Sequence, residues 1–163
     1  MLRWWRKEKY LRESDRLCKS GKFDAALSQI ESGLRDNPGL DLLKQKAWLL
    51  KEAGRLDEAK AHTESLLAKH PEESVLHLLL GEILLLVRDY VPARESLFKA
   101  IDLGGENLYA EFLIGKTYIG TNDLDKAAPY FESMIKYDKN FVSSRLLAVA
   151  EFYLMERGRT DGR

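Results

Sequence analysis

A period of 33 to 34 residues limits what this chain can fold into more than any other feature of it. Four short segments read alike: Ser20-Gly-Lys-Phe-Asp-Ala-Ala26, Ala53-Gly-Arg-Leu-Asp-Glu-Ala59, Val87-Arg-Asp-Tyr-Val-Pro-Ala93 and Thr121-Asn-Asp-Leu-Asp-Lys-Ala127. Their last alanines, Ala26, Ala59, Ala93 and Ala127, are 33, 34 and 34 residues apart, and Phe23, Leu56, Tyr90 and Leu124 keep the same intervals. Self-similarity at this period marks an array of small supersecondary units, none of which can bury its apolar face alone.

Each segment reads as a turn between two helices. Gly21, Gly54 and Asn122 suit a left-handed residue just past a helix end, where a β-carbon is costly, and Arg88 fills the same place less comfortably. Asp24, Asp57 and Asp125 follow three residues later, where a carboxylate is expected to cap the next helix and meet its positive end. In the third copy Val91 takes that place, with Pro92 expected at the first helical position, and Pro129 predicts an irregular first turn in the fourth.

On both sides of each turn the apolar residues recur at helical spacing. Examples are Ala47, Leu50, Ala59, Leu66 and Leu67 in the second copy, and Leu80, Ile83, Leu84, Ala93, Leu97 and Ile101 in the third. Between copies lie Asp36-Asn-Pro-Gly39, His70-Pro-Glu-Glu73, Gly104-Gly-Glu-Asn107 and Asp138-Lys-Asn140, which stop helices or turn the chain. The pattern leaves no room for a sheet, so the expected fold is all-α.

Composition narrows the function. A chain of 163 residues can bury a core without disulfides, and its single cysteine, Cys18, reads as a helix-packing residue compatible with a reducing cytoplasm. The formal net charge is zero, which argues against a general nucleic-acid binder. The basic start, Met1 to Tyr10, lacks the apolar run of a secretory signal, so no export is expected. The longest apolar stretch, Val75 to Val87, is interrupted by His77, Gly81 and Glu82 and is too short to span a bilayer.

The chain resembles the tetratricopeptide repeat family, whose unit carries an aromatic, a Leu-Gly pair, a Tyr, an Ala, a further aromatic and a Pro. The fourth copy has Ile114-Gly115, Tyr118, Ala127 and Phe131; the third has Leu80-Gly81, Leu84, Ala93, Leu97 and Ala100. The second keeps Ala47, Leu50, Ala59, Leu66 and Pro71, and the first, weakest copy has Tyr10, Ser14, Leu17, Ala26, Ile30 and Pro38. The resemblance implies a right-handed α-α superhelix of about four helix pairs, over residues 7–39, 40–73, 74–107 and 108–141. A segment at 142–156 is expected to cap the open apolar face, and 157–163 to fray.

The resemblance also implies an adaptor or assembly scaffold that binds a protein or peptide in a groove lined by the first helix of each pair. Carried onto this sequence, the groove comprises Lys44, Trp48, Leu78, Glu82, Tyr109, Phe112 and Lys116, with Trp48, Leu78, Phe112 and Lys116 as the leading contacts. The chaperone-tail clamp of one subfamily is absent, because Leu11, Asp15, Gln45, Val75 and Leu79 stand where that clamp needs donors and positive charge.

Two adjacent indoles, Trp4 and Trp5, precede the first repeat among cations and are not required by it. Three roles are open to them: covering the first helix pair, touching an anionic membrane surface as a peripheral anchor, or docking into another copy to make a homo-oligomer. No catalytic set, phosphate-binding loop or cofactor motif stands out. His62, His70 and His77 fall on different parts of the repeat and are not expected to hold a metal. An enzyme is not expected.

Overall fold

The structure is a computed structural model and describes the backbone of residues 2–136 and the side chains of residues 7–133. Among the described residues there are eight α-helices and no strand: α1 (Leu2–Lys19), α2 (Phe23–Asp36), α3 (Leu40–Glu52), α4 (Leu56–Leu67), α5 (Ser74–Leu86), α6 (Tyr90–Gly104), α7 (Leu108–Gly120) and α8 (Leu124–Lys136). They form four antiparallel pairs. The segment expected to cap the array, 142–156, lies outside the described residues, as does the tail.

The turns inside the pairs follow the sequence closely. Arg88 and Asn122 have φ of 63° and 61°, beside 71° and 74° at Gly21 and Gly54, so all four copies use a left-handed residue at the same place. The amide one place further on then bonds back into the preceding helix, as in Lys22 N–H to the Leu17 carbonyl and Asp123 N–H to the Tyr118 carbonyl. Phe23, Leu56, Tyr90 and Leu124 are the first residues of α2, α4, α6 and α8.

The expected aspartate caps are corrected by one turn geometry. The residues before α2, α4 and α6 are Lys22, Arg55 and Asp89, none of which makes a side-chain cap bond. Asp24, Asp57 and Asp125 sit second in their helices, too far inside to reach back, and act on the helix dipole instead. Val91 and Pro92 are likewise second and third in α6, where the proline removes only an N–H that has no intrahelical acceptor. A side-chain cap is made at Asn107, whose Oδ1 accepts from the amides of Tyr109 and Ala110 at 3.0 and 3.1 Å. Pro129 lies inside α8, which stays helical from Leu124 to Lys136.

The chain divides into two compact units, 1–72 and 73–163. In the first, α1 packs on α2 and α3, and α3 packs on α2 and α4. Its core is Ala26, Leu27, Ile30, Leu42, Ala47, Leu49, Leu50, Ala59 and Leu66. A Lys7–Asp41 ion pair and a Gln45 Nε2–Asp15 bond of 3.0 Å join α3 to α1, and Lys46 pairs with Glu31 of α2 at 2.8 Å. Tyr10 donates its hydroxyl to Asp36 across the first pair.

In the second unit α6 packs on both α5 and α7, α7 packs on α8, and α5 also touches α7. Leu97, Ala110, Phe112, Leu113, Ile114, Ala127 and Phe131 form one buried cluster, with Phe112 and Phe131 edge to face at 6.1 Å. Small residues bring the paired backbones together. A β-carbon at Gly81 would lie 2.6 Å from Leu97 Cγ and 3.2 Å from the Ala93 carbonyl oxygen, and one at Gly115 would lie 2.7 Å from the Phe131 ring.

Two substitutions test this packing. Gly81→Ala should lower stability by about 1–3 kcal/mol despite its better helix propensity, because the Ala93 backbone cannot yield to the added methyl. Ser14→Ala should leave stability unchanged or raise it by up to about 1 kcal/mol, since the fully buried Ser14 Oγ has no hydrogen-bond partner. Urea unfolding of both variants against the parent chain checks each sign.

Candidate protein-binding surface

The first helices of the pairs, α1, α3, α5 and α7, carry all the residues expected to meet a partner. Lys44 and Trp48 lie one turn apart on α3 in the first unit, both half-buried. In the second unit Leu78 and Glu82 lie on α5, and Tyr109, Phe112 and Lys116 on α7. Because the copies are offset by 34 residues, Leu78 and Phe112 hold equivalent places on these two touching helices, as do Glu82 and Lys116.

These side chains differ in what they can offer. Tyr109 is 40 % exposed, and Val75, its equivalent on α5, is 53 % exposed. Leu78, Glu82 and Lys116 are half-buried, with Leu78 packed against the core cluster. Phe112 is a correction to the expected set: at 5 % exposure it is part of the core and cannot serve as an open contact. It contributes indirectly, since the Lys116 ammonium lies 5.6 Å from its ring centroid. Leu79 is buried and Leu85 packs on the cluster, so both serve the fold. Leu86, at the end of α5, is 56 % exposed and was not among the expected contacts.

Thus α5 and α7 offer an apolar strip of Val75, Tyr109 and Leu78, then one residue of each charge in Glu82 and Lys116, then apolar Leu86. A ladder of Arg94, Tyr118 and Tyr130 ties α6, α7 and α8: the guanidinium carbon lies 4.0 Å over the Tyr118 ring, which stacks on Tyr130 at 5.8 Å. Burial raises the Tyr130 phenol above its ordinary pKa, aided by Tyr118 and Glu111 and opposed by Arg94. Burial also raises the Glu111 carboxyl, with Glu106 adding to it.

Other residues singled out in the sequence lie on α1. Trp4 and Trp5 fall within α1, which runs from Leu2 without a break at residue 7; their side chains lie outside the described residues. Burial pushes the half-buried Cys18 thiol up, and the Glu52 and Asp15 carboxylates push the same way, so it is a poor nucleophile. No group of three metal-ligating side chains occurs among the described residues, and no described helix is long and apolar enough to cross a membrane.

The helix pairs, their period and their small-residue contacts define an α-helical repeat protein. Models of the tetratricopeptide repeat match residues 44–107 and 112–141, and the chain belongs to that family, whose members act as scaffolds for protein contacts. The fold is shared with MamA 41-end from Desulfovibrio magneticus RS-1 (19 % identity, 95 % of this chain and 96 % of that one, TM-score 0.70). It is also shared with a tetratricopeptide repeat protein from Parabacteroides merdae ATCC 43184 (17 % identity, 96 % of this chain and 62 % of that one, TM-score 0.71). A further MamA crystal structure is 18 % identical over 94 % of this chain and 85 % of that one, at a TM-score of 0.69. At these identities the likeness speaks to the fold alone. No curated protein matches the sequence.

His62 yields a test of the first unit. Its Nε2 lies 3.2 Å from the Leu43 carbonyl oxygen, joining α4 to α3. Burial holds its pKa below the ordinary 6.5, Lys46 adds to this, and the Leu43 contact opposes it. The stability from keeping this ring neutral is present above pH 6.5 and is lost as the pH falls through the depressed folded value, because the unfolded chain takes up the proton first. The described carboxylates with lowered pKa, Glu13, Glu31, Asp41 and Glu58, start from 3.8 to 4.5 and act at lower pH. Urea unfolding as a function of pH should therefore show the parent weakening from neutral pH towards pH about 5 and His62→Gln weakening less; equal slopes would remove His62 as the cause.

Proposed function

We propose that this protein is an adaptor that holds an apolar segment of a partner protein against α5 and α7, with Lys44 and Trp48 on α3 offering a second contact surface. The observation that carries this reading is the exposure of Val75, Leu86 and Tyr109, large apolar groups at 53 %, 56 % and 40 %, on two touching first helices. Exposed apolar area of this kind is costly to keep in water unless something covers it, and aromatic and aliphatic anchors supply most of the energy of such contacts. Glu82 and Lys116, one charge of each sign at equivalent places, give the strip no net charge, so an extended or helical segment led by apolar residues fits it better than an acidic tail. The half-buried Trp48 and Lys44 supply the same mixture of ring and cation on α3.

The test changes the exposed Val75 and Tyr109 together and the half-buried Trp48 separately. Val75→Asp/Tyr109→Asp and, separately, Trp48→Glu are compared with the parent chain as baits in native lysate, with bound proteins identified by mass spectrometry. A protein retained by the parent and reduced at least about tenfold on the Val75/Tyr109 variant, with unchanged helical content, is the expected result. Identical protein lists from equally folded baits would remove α5 and α7 as the site.

A further inference from the structure

The four copies act as controls for one another on the outward face of the second helices. At the place of Val91 the other copies carry Asp24, Asp57 and Asp125, and at the place of Phe98 they carry Glu31, Glu64 and Glu132. The helix pair folds with an acid at both places in three copies, so nothing in the repeat requires an apolar group there. Yet Val91 is 50 % and Phe98 39 % exposed on α6. Seven residues apart, they lie on one stripe of the helix about 10 Å apart along its axis. Exposed Glu95 and Lys99, one turn apart, lie beside Val91 and Phe98 on the same side of α6.

We infer that this stripe of α6 is a self-association surface, which docks antiparallel against the same stripe of a second copy of the chain about a two-fold axis. A two-fold contact needs a patch that complements itself. With the axis near residue 97, Glu95 lies opposite Lys99 of the second copy, and the symmetry repeats that pair. Phe98 then packs beside its own counterpart near the axis, and Val91 meets the last turn of the opposite helix. The stripe thus supplies both charges of its own pairing, flanking the ring that is to be buried. The formal net charge of zero removes long-range repulsion between copies. A single helix stripe is smaller than the interface of a tight complex, so the association is weak and depends on concentration. This surface is distinct from the α5 and α7 strip, and the inference does not rest on that reading.

Sedimentation velocity of the whole chain from low to high micromolar concentration tests it. The parent chain should rise in mass towards a dimer, whereas Val91→Asp/Phe98→Glu, which restores the residues of the other copies, should stay monomeric with the same circular dichroism. Glu95→Lys and Lys99→Glu should each weaken dimerisation at least about tenfold by setting like charges opposite, and Glu95→Lys/Lys99→Glu together should recover most of it. A parent chain that stays monomeric throughout, or a Val91→Asp/Phe98→Glu variant that associates as the parent does, overturns the inference. Single charge variants that dimerise like the parent, or a double reversal no better than the singles, overturn the antiparallel pairing.

Discussion

The structure depends on how closely two helix backbones can approach inside each pair. Ala26, Ala59, Ala93 and Ala127 are buried at the same place in all four copies, so the second helix of each pair meets its neighbours with the smallest side chain that still favours a helix. Gly81 and Gly115 do the same from the first helix, against Leu97 and Phe131. Close approach lets the long side chains above and below interlock, and it also fixes which face of each first helix is left over. That leftover face is where the candidate contacts lie. The surface is therefore a by-product of packing, and its chemistry is set by the few positions that packing leaves unassigned.

Most of the fold was legible because the repeat states its turns several times. One Gly-Lys-Phe-Asp segment would be ambiguous, but four in register, each with a left-handed residue at the same place, leave little choice; even Arg88, a poor candidate by type, adopts the conformation its register demands. The caps were read less well. An aspartate two residues inside a helix and one just before it look alike in sequence, and the choice is made by the backbone angles of Lys22 and Arg55, which no local pattern announced. The binding surface was only partly legible for a related reason. Family register shows which helix face a residue occupies but not how deeply a ring on that face sinks, and Phe112 sinks into the core because Gly115, one turn on, draws the Phe131 ring close enough to meet it.

Polar groups inside the pairs follow the same economy. Thr63 and Thr117 are fully buried and bond back to the Ala59 and Ile114 carbonyls of their own helices at 2.7 Å, so they add polarity without depending on another element. Arg94 is the contrasting case. It reaches across from α6 to stack on Tyr118, leaves Nη1 buried without a hydrogen-bond partner, and gains its stabilisation from the ring face and the Tyr130 stack beyond it. A cation held in this way couples three consecutive helices of the second unit.

In a chain built from near-copies, specific function has to come from departures from the repeat. The shared positions are already committed to the hairpin, and any surface that all copies present alike cannot distinguish one partner from another. Among the described residues every large apolar side chain counted as exposed, Val75, Leu86, Val87, Val91, Phe98 and Tyr109, lies in the second unit, and all but Tyr109 belong to the α5 and α6 pair. Chance scatter would spread them over the copies. Folding does not explain Val91 and Phe98 either, because the equivalent places in the other pairs are filled by Asp and Glu and those pairs also fold. The departures fall on both helices of one pair: Val75 and Leu86 on the first, beside Tyr109 of α7, and Val91 and Phe98 on the second. One hairpin thus carries exposed apolar groups on both of its helices, with Tyr109 of α7 beside the first, and large exposed apolar groups of this kind mark surfaces for contact with other molecules.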